Sequence, residues 1–169
     1  ALKNAHFIKS KQWQPSGALF HSYKDGKSTI NGYLEDYATL IDAFIGLYEI
    51  TLDSQWIDSA NELTSYVYAH FYDSQKQLFY FTSDLDPSLI TRSFQYRDNV
   101  IPASNSMMAK NLLVLSHHFD NQTYAATASQ MLKNVLSEIE KYPSGFSNWL
   151  DLLANFQNNF YEIVVVGDQ

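Results

Sequence analysis

The chain reads Trp56-Ile-Asp-Ser-Ala-Asn-Glu-Leu-Thr-Ser-Tyr-Val-Tyr-Ala-His-Phe71 in its first half, and this stretch decides the fold class. Its apolar residues at positions 56, 60, 63, 67 and 71 are spaced by four, three, four and four, as on one face of an α-helix. Asp53 or Ser54 can cap the start of this helix. Because a second helical series runs from Tyr33 to Ile50, the two segments predict a helical hairpin.

The same spacing returns 68 residues later, at positions 124, 128, 131, 135 and 139. A turn over 119–122 separates this helix from another predicted over 107–118, and the offset also carries Leu47 onto Leu115. One offset therefore relates a turn and both flanking helices, which indicates an internal repeat. We expect an all-α, single domain over residues 1–169, built of repeated helical hairpins. Residues 2–10 and 149–156 also have helical patterns.

A long connection over residues 73–101 separates the two hairpins. Residues 78–81 and 90–96 are β-prone, and Asp84-Leu-Asp-Pro87 supplies a turn between them. The pattern predicts a short β-hairpin at about 78–96, at the mouth of the helical array. Residues 13–32 are predicted as a loop, and the β-branched run Glu162-Ile-Val-Val-Val-Gly167 as a short buried strand.

Composition limits the classes of partner. A net charge of −7 without a basic run argues against nucleic acid, and no run of about 18 apolar residues suggests a membrane helix. The absence of cysteine excludes disulfides and thiolate zinc sites within the chain. No histidine pair has metal-ligand spacing, and no phosphate loop occurs, so we expect no metal and no cofactor. The 12 Tyr and 11 Phe suit either helix seams or a carbohydrate cleft.

The chain starts at Ala1 and lacks a signal pattern, so we expect an excised piece of a longer cytoplasmic protein. Part of a helical array exposes apolar faces that its missing neighbours would cover. We therefore also expect self-association of the fragment.

Two polar segments, 32–38 and 98–106, precede the first helix of each predicted hairpin. The offset of 68 carries Asp36 onto Ser104 and Tyr37 onto Asn105. Equivalent ends of repeated hairpins lie on the same rim of an array. We therefore expect six residues as neighbours at one mouth: Glu35, Asp36, Tyr37, Asp98, Ser104 and Asn105.

Each of these residues also has a purely structural interpretation. Asp36, Ser104 and Asn105 could simply satisfy N–H groups at helix starts. Arg92 and Arg97 could clamp an anionic group, or only neutralise an acidic rim. A polar strip on the first long helix could be solvated, or could line a central funnel; it consists of Glu35, Thr39, Asp42 and Glu49.

Four motifs in order resemble the helical region of the spermatogenesis-associated protein 20 family, thioredoxin-domain proteins that include bacterial YyaL-like members. They are Tyr23-Lys-Asp-Gly26, Gly32-Tyr-Leu-Glu-Asp-Tyr-Ala38, Asp98-Asn-Val-Ile-Pro-Ala-Ser-Asn-Ser106 and Glu162-Ile-Val-Val-Val-Gly167. The resemblance implies part of an (α/α)6-type toroid related to six-hairpin glycosidases and N-acylglucosamine 2-epimerases. It also implies that the thioredoxin-like domain of the family is not in this chain.

The chain departs from the family pattern in both helix-start motifs. Glu35 replaces the first Asp of Phe-Leu-Asp-Asp-Tyr-Ala, while Ala103 and Ser104 stand at the second and third places of Pro-Ser-Gly-Asn-Ser. The catalytic histidines of the epimerases have no clear counterpart. The retained residues are Asp36, Tyr37, Pro102, Asn105 and Ser106.

These observations favour a carbohydrate-type binding or processing cleft, of glycosidase or sugar epimerase type, with a sugar or sugar derivative as ligand. Asp36 and Asp98 are the candidate catalytic carboxylates, since two carboxylates across a sugar suit proton transfer. The candidate substrate-binding residues are Glu35, Tyr37, Arg92, Arg97, Ser104 and Asn105. The alternative is a non-catalytic helical scaffold that binds a protein or orients a thioredoxin-like domain.

Overall fold

The computed structural model describes residues 1–87, 91–158, 160–161 and 167. Within these ranges the chain is mostly helical, as the sequence predicts. The helices are α1 (Leu2–Lys11), α2 (Leu34–Thr51), α3 (Ser54–Phe71), α4 (Ser104–His118), α5 (Gln122–Ile139) and α6 (Ser147–Gln157). None of these described helices has the length and apolarity needed to cross a bilayer. The strand expected at 162–167 lies outside the described residues, apart from its last residue.

The internal repeat is confirmed, and its second helices, α3 and α5, match at both ends. Helix α5 begins and ends 68 residues after α3. The same offset relates their capping residues, Asp53 and Asn121, each of which accepts a hydrogen bond from the backbone N–H two residues ahead. It also relates Leu52 and Asp120, which reverse the chain with φ of 56° and 46°. All ten apolar positions of the two series are buried.

The helices pack in two rows. Helix α4 lies between α2 and α6, and Asn111 of α4 donates a hydrogen bond to the Ala38 carbonyl of α2 at 2.8 Å. In the other row α1 contacts α3, with the His6 and Trp56 rings 5.1 Å apart. Helix α3 in turn contacts α5, where the rings of two tyrosines, at positions 68 and 124, stack at 5.5 Å. Aromatic side chains therefore fill seams between the helices.

Two short antiparallel hairpins lie between the helices. Strand β1 (Phe20–Lys24) pairs with β2 (Lys27–Asn31), within the segment expected to be a loop. Asp25 and Gly26 connect them with φ of 51° and 79°, as a tight primed turn requires. Strand β3 (Tyr72–Asp73) pairs with β4 (Leu78–Phe79).

The pairing expected at 78–96 is wrong. Leu78–Phe79 pairs with the chain immediately before it, and no strand occurs in the described residues of the second segment, 91–96. One backbone hydrogen bond, from Phe81 N–H to the Ser93 carbonyl at 2.8 Å, links the two segments. A turn at 74–77, with Gln77 at φ 53°, returns β4 to β3 within a few residues. This local closure has the smaller entropy cost.

Long connections gather on one side of the array. Helices α2 and α3 are joined by residues 52–53, and α4 and α5 by 119–121. Such short turns make α2 antiparallel to α3 and α4 antiparallel to α5. The starts of α2 and α4 both bind the connection at 79–81, and Asp98 joins the starts of α4 and α6, so the three helix starts lie on the same side. The described residues of the three longer connections, within 12–33, 72–103 and 140–146, lie there. We call the described residues of these connections, with the helix starts they meet, the loop rim.

Candidate functional site

The Asp36 carboxylate makes hydrogen bonds at the start of α2. Its Oδ2 accepts a hydrogen bond from Tyr33 N–H at 2.8 Å, which forms a capping box with the start of the helix. The same oxygen lies 2.9 Å from His21 Nδ1. The capping interpretation of Asp36 is therefore confirmed. The histidine is an additional partner from β1.

Tyr37 has a structural role beneath the loop rim. The ring is buried against Tyr66 at 5.5 Å, and the hydroxyl accepts a hydrogen bond from Leu19 N–H at 2.7 Å. Burial raises the pKa of the Tyr37 hydroxyl above its ordinary value, so the group stays neutral at physiological pH. It ties the segment before β1 to α2.

Asp98 connects the starts of two helices. Its Oδ1 accepts hydrogen bonds from Ala103 N–H at 2.9 Å and from Ser106 Oγ at 2.6 Å. Its Oδ2 accepts from Asn148 N–H, in the first turn of α6, at 2.8 Å. Both oxygens of this buried carboxylate thus have internal partners. The geometry gives Asp98 a structural role, and its pairing with Asp36 in catalysis stays a prediction.

Asn105 binds the connection before its helix rather than the helix itself. Its Oδ1 accepts from Phe79 N–H at 2.8 Å, and its Nδ2 donates to the carbonyls of Phe79 and Gln95, both at 2.9 Å. The side chain is fully buried. Ser104 is also buried and donates to the Gln95 carbonyl at 3.4 Å. Both residues therefore hold 79–95 against α4.

The two arginines have different surroundings. Arg92 donates to the carbonyl oxygens of Thr82 and His70, so its guanidinium organises the connection itself. Arg97 is two-thirds exposed and pairs with Glu138 at 2.5 Å, which lowers the pKa of that glutamate. Arg97 thus neutralises an acid on α5 while remaining accessible.

Glu35 is the predicted site residue that faces open space. It is half-buried and lines two cavities on the loop rim, of about 420 and 570 Å³. In the part of the chain that the structure describes, its carboxylate makes no hydrogen bond or ion pair. Ile101 also lines both cavities, and we call the pair the rim cleft.

The two halves of the rim cleft differ in chemistry. The first cavity is mainly apolar with one polar corner; it is also lined by Ile8, Gln12, Leu19, Phe20, His21, Asp36, Thr39, Leu40 and Ala43. The second has more amide groups; it is also lined by Phe94, Gln95, Tyr96, Arg97, Asn99, Pro102 and Ala103. The cleft therefore joins Glu35, Asp36 and Arg97 of the predicted site. The other predicted site residues do not line the cleft and only support it through the bonds described above; they are Tyr37, Asp98, Arg92, Ser104 and Asn105.

His21 is a titratable cleft residue that sequence reasoning missed. It lies on β1, within the segment expected to be a loop. The Asp25-Gly26 pair could have indicated the hairpin. Asp-Gly between two runs that alternate polar and apolar residues is typical of a two-residue hairpin turn. A hairpin there would have placed His21 beside the start of α2.

Ile30 carries backbone strain next to this histidine. Its φ of 64° lies in the left-handed region, which β-branched residues rarely adopt. Such a residue costs on the order of 1–3 kcal/mol and persists where surrounding structure holds it. The hairpin register sets Ile30 opposite His21. The strain therefore lies opposite a residue that lines the first cavity.

Replacing Ile30 with glycine should raise the free energy of unfolding by about 1 kcal/mol, because glycine adopts positive φ without a steric cost. Little burial is lost, since the isoleucine side chain is 55% exposed. Urea denaturation measures the change. Thr29→Gly, in the same strand at ordinary φ, is the matched control and should lower stability by about 0.5–1 kcal/mol. An equal decrease in the free energy of unfolding in the two variants would show that Ile30 is not strained.

Comparisons with known proteins point to one family. No protein-family model matches the chain. Human spermatogenesis-associated protein 20 is 26% identical over 156 residues, which cover 92% of this chain and 19% of the human protein. The rat protein of that name is 26% identical over 138 residues, covering 81% and 18%. An uncharacterized protein of Caenorhabditis elegans is 25% identical over 146 residues, covering 86% and 20%.

The chain thus spans about a fifth of the length of the curated relatives it matches. The similarity extends over most of the chain itself. These similarities support a distant relationship between this chain and the spermatogenesis-associated protein 20 family.

Proposed function

We propose that the rim cleft binds a polyhydroxylated, carbohydrate-type ligand. The observation that carries this proposal is the Glu35 carboxylate, which is half-buried, lacks an internal partner among the described residues and stands where the two cavities meet. A partly buried carboxylate without a partner loses hydration without compensation. A hydroxyl group that donates to it restores the missing hydrogen bond.

The rest of the lining suits the same class of ligand. The amides of Gln95 and Asn99 can both donate and accept, which fits the hydroxyl groups of a sugar. The rings of Phe20, Phe94 and Tyr96 offer apolar surface to the C–H face of a sugar ring. Each cavity also has the volume typical of a small-molecule site, about 300–1,000 Å³.

The wider architecture we propose is part of an (α/α) toroid. Its support is the alternation of α2, α4 and α6 in one row with α1, α3 and α5 in the other. In such a toroid the first row faces the interior, where the exposed residues Thr39, Asp42 and Glu49 would line a funnel. Further helices, or a second copy of the fragment, would cover the apolar residues exposed at the row ends, which are Leu2, Phe7 and Leu150.

Glu35→Gln should weaken binding of a cognate sugar at least about tenfold, because a hydrogen bond to a charged group contributes about 1.5–3 kcal/mol. Isothermal titration of the chain with glucose, galactose, mannose, N-acetylglucosamine and glucose 6-phosphate measures the effect. Glu49→Gln, on the same helix but outside the rim cleft, is the control and should leave affinity unchanged. Absence of binding to all five sugars, or equal affinity of wild type and Glu35→Gln, would overturn the proposal.

The alternative function is a non-catalytic scaffold for a protein partner or for a thioredoxin-like domain elsewhere in a longer chain. It is favoured by the internal bonds of Tyr37, Arg92, Asp98 and Asn105, which show these polar groups used for architecture. A chain that binds no sugar, but loses stability when Asp98 or Asn105 is replaced, would support the scaffold.

A further inference from the structure

His21 and Asp36 form an oriented pair at the wall of the first cavity. Both carboxylate oxygens of Asp36 lie within 3.1 Å of His21 Nδ1, so the Nδ1–H group is the donor. Among the described residues Nε2 has no hydrogen-bond partner, and the side chain is 38% exposed. A carboxylate on one nitrogen fixes the ring and its tautomer, which leaves the other nitrogen for proton transfer.

Glu35 supplies a second proton-transfer group in the same cavity. It lies next to Asp36 in sequence, but the two side chains leave a helix about 100° apart around its axis. Asp36 turns back to cap α2, while Glu35 has no partner among the described residues and lines the cavity with His21. A carboxylate accepts protons only, whereas an imidazole can donate or accept one at Nε2. The cavity thus holds a base and an acid as separate groups.

We propose that the first cavity catalyses ring opening and closing of a cyclic hemiacetal, with Glu35 as the base and His21 as the acid. This proposal rests on the proposed function, and it adds a reaction to the binding site. The substrate class is a reducing sugar. The only requirement on the ligand is an anomeric hydroxyl group next to a ring oxygen.

The step balances without a co-reactant. Glu35 takes the proton of the anomeric hydroxyl group, the bond between the anomeric carbon and the ring oxygen breaks, and a carbonyl group forms at that carbon. His21 takes part as the imidazolium, with its Nδ1–H held by Asp36. It gives the Nε2 proton to the ring oxygen and is left as the neutral Nδ1–H tautomer. Asp36, which keeps the ring in place, is a positioning residue. In the reverse reaction the ring closes on either face of the carbonyl group and both protons return to the groups that gave them. The two anomers therefore interconvert.

The backbone opposite His21 is consistent with a functional position. Ile30 holds a left-handed conformation that its β-branched side chain disfavours, directly across the hairpin from His21. Strained non-glycine residues cluster at ligand and active sites. The Ile30 conformation is an observation separate from the His21–Asp36 pair and from the cavity.

Polarimetry of freshly dissolved α-D-glucose, α-D-galactose and N-acetyl-α-D-glucosamine tests the proposal. The wild-type chain should accelerate the approach to anomeric equilibrium above the buffer rate for at least one sugar. Glu35→Gln and His21→Gln should each lose on the order of a hundredfold of that acceleration. His117→Gln, at the opposite end of α4, should keep it. Circular dichroism melting establishes that each variant is folded.

Nitrogen-15 spectra of the wild-type imidazoles provide a readout that needs no variant. Above the pH at which the ring loses its charge, His21 should be the Nδ1–H tautomer, and an Nε2–H tautomer would overturn its orientation by Asp36. Sugar binding without acceleration, or full acceleration by His21→Gln, would overturn the catalytic proposal and leave the binding site intact. Absence of sugar binding would instead overturn the proposed function.

Discussion

Replacing Asp98 with alanine should lower the free energy of unfolding by about 3–4 kcal/mol, one of the two largest effects we expect in this chain. The carboxylate is buried and accepts three hydrogen bonds, from Ala103 N–H, Ser106 Oγ and Asn148 N–H. Alanine leaves those donors without their acceptor. Because Ala103 and Ser106 are buried as well, water cannot readily replace it. Urea denaturation followed by circular dichroism measures the loss.

Two comparisons separate this effect from a general cost of removing an aspartate. Asp42→Ala, on the exposed face of α2, should change stability by less than about 0.5 kcal/mol. Asp98→Asn keeps the shape but turns one acceptor into a donor, so it should recover part of the loss. A decrease below about 1 kcal/mol for Asp98→Ala would mean that the three bonds contribute little to the junction between α4 and α6.

The repeated helices could be predicted because their signal is local. A buried helical face repeats every three or four residues, and the capping residue stands directly before it. The helical face and the capping position both recur 68 residues later, and in the structure Asp53 and Asn121 cap the two helices. Nothing distant in the chain has to be known for this step. The gathering of the polar helix starts on one rim then follows from the equivalence of the two repeated hairpins.

The role of each polar residue on that rim could not be predicted in the same way. A carboxylate or amide before a helix has one sequence signature, whether it binds its own helix, a neighbouring segment or a ligand. Asp36 binds its own helix and His21, Asp98 also binds α6, and Asn105 binds the connection at 79 and 95. These choices depend on where distant segments pack. They also decide which carboxylate of the predicted site has no partner among the described residues, and it is Glu35.

The connections gave the weakest predictions, because strand pairing is a non-local choice. Residues 78–81 are β-prone in sequence, and the structure pairs Leu78–Phe79 with its neighbour rather than with the later segment. The hairpin over residues 20–31 was missed because its strands are polar and mostly exposed, which weakens the alternating pattern. That omission also removed His21 from the predicted site.

Replacing Asn105 with alanine should lower the free energy of unfolding by about 3 kcal/mol. The fully buried amide satisfies the N–H and carbonyl groups of Phe79 and the carbonyl of Gln95. Alanine leaves the N–H and carbonyl groups of Phe79 without this partner in a site closed to water, and an unsatisfied buried group costs about 1–3 kcal/mol. The Gln95 carbonyl keeps its bonds from Asn105 N–H and Ser104 Oγ. Thermal and urea unfolding measure the loss, and hydrogen exchange should show the Phe79 N–H exchanging faster.

A matched comparison makes the Asn105 prediction specific to this clamp. Asn155→Ala, on the exposed face of α6, should change stability by less than about 0.5 kcal/mol. Asn105→Asp retains the acceptor for Phe79 N–H but loses both donated bonds, so its stability should fall as well. Gln95 lines the second cavity, so a clamp at Asn105 also fixes one wall of the rim cleft. Unchanged exchange at Phe79 in Asn105→Ala would mean that the connection holds its position without the amide, and that the cleft wall rests on other contacts.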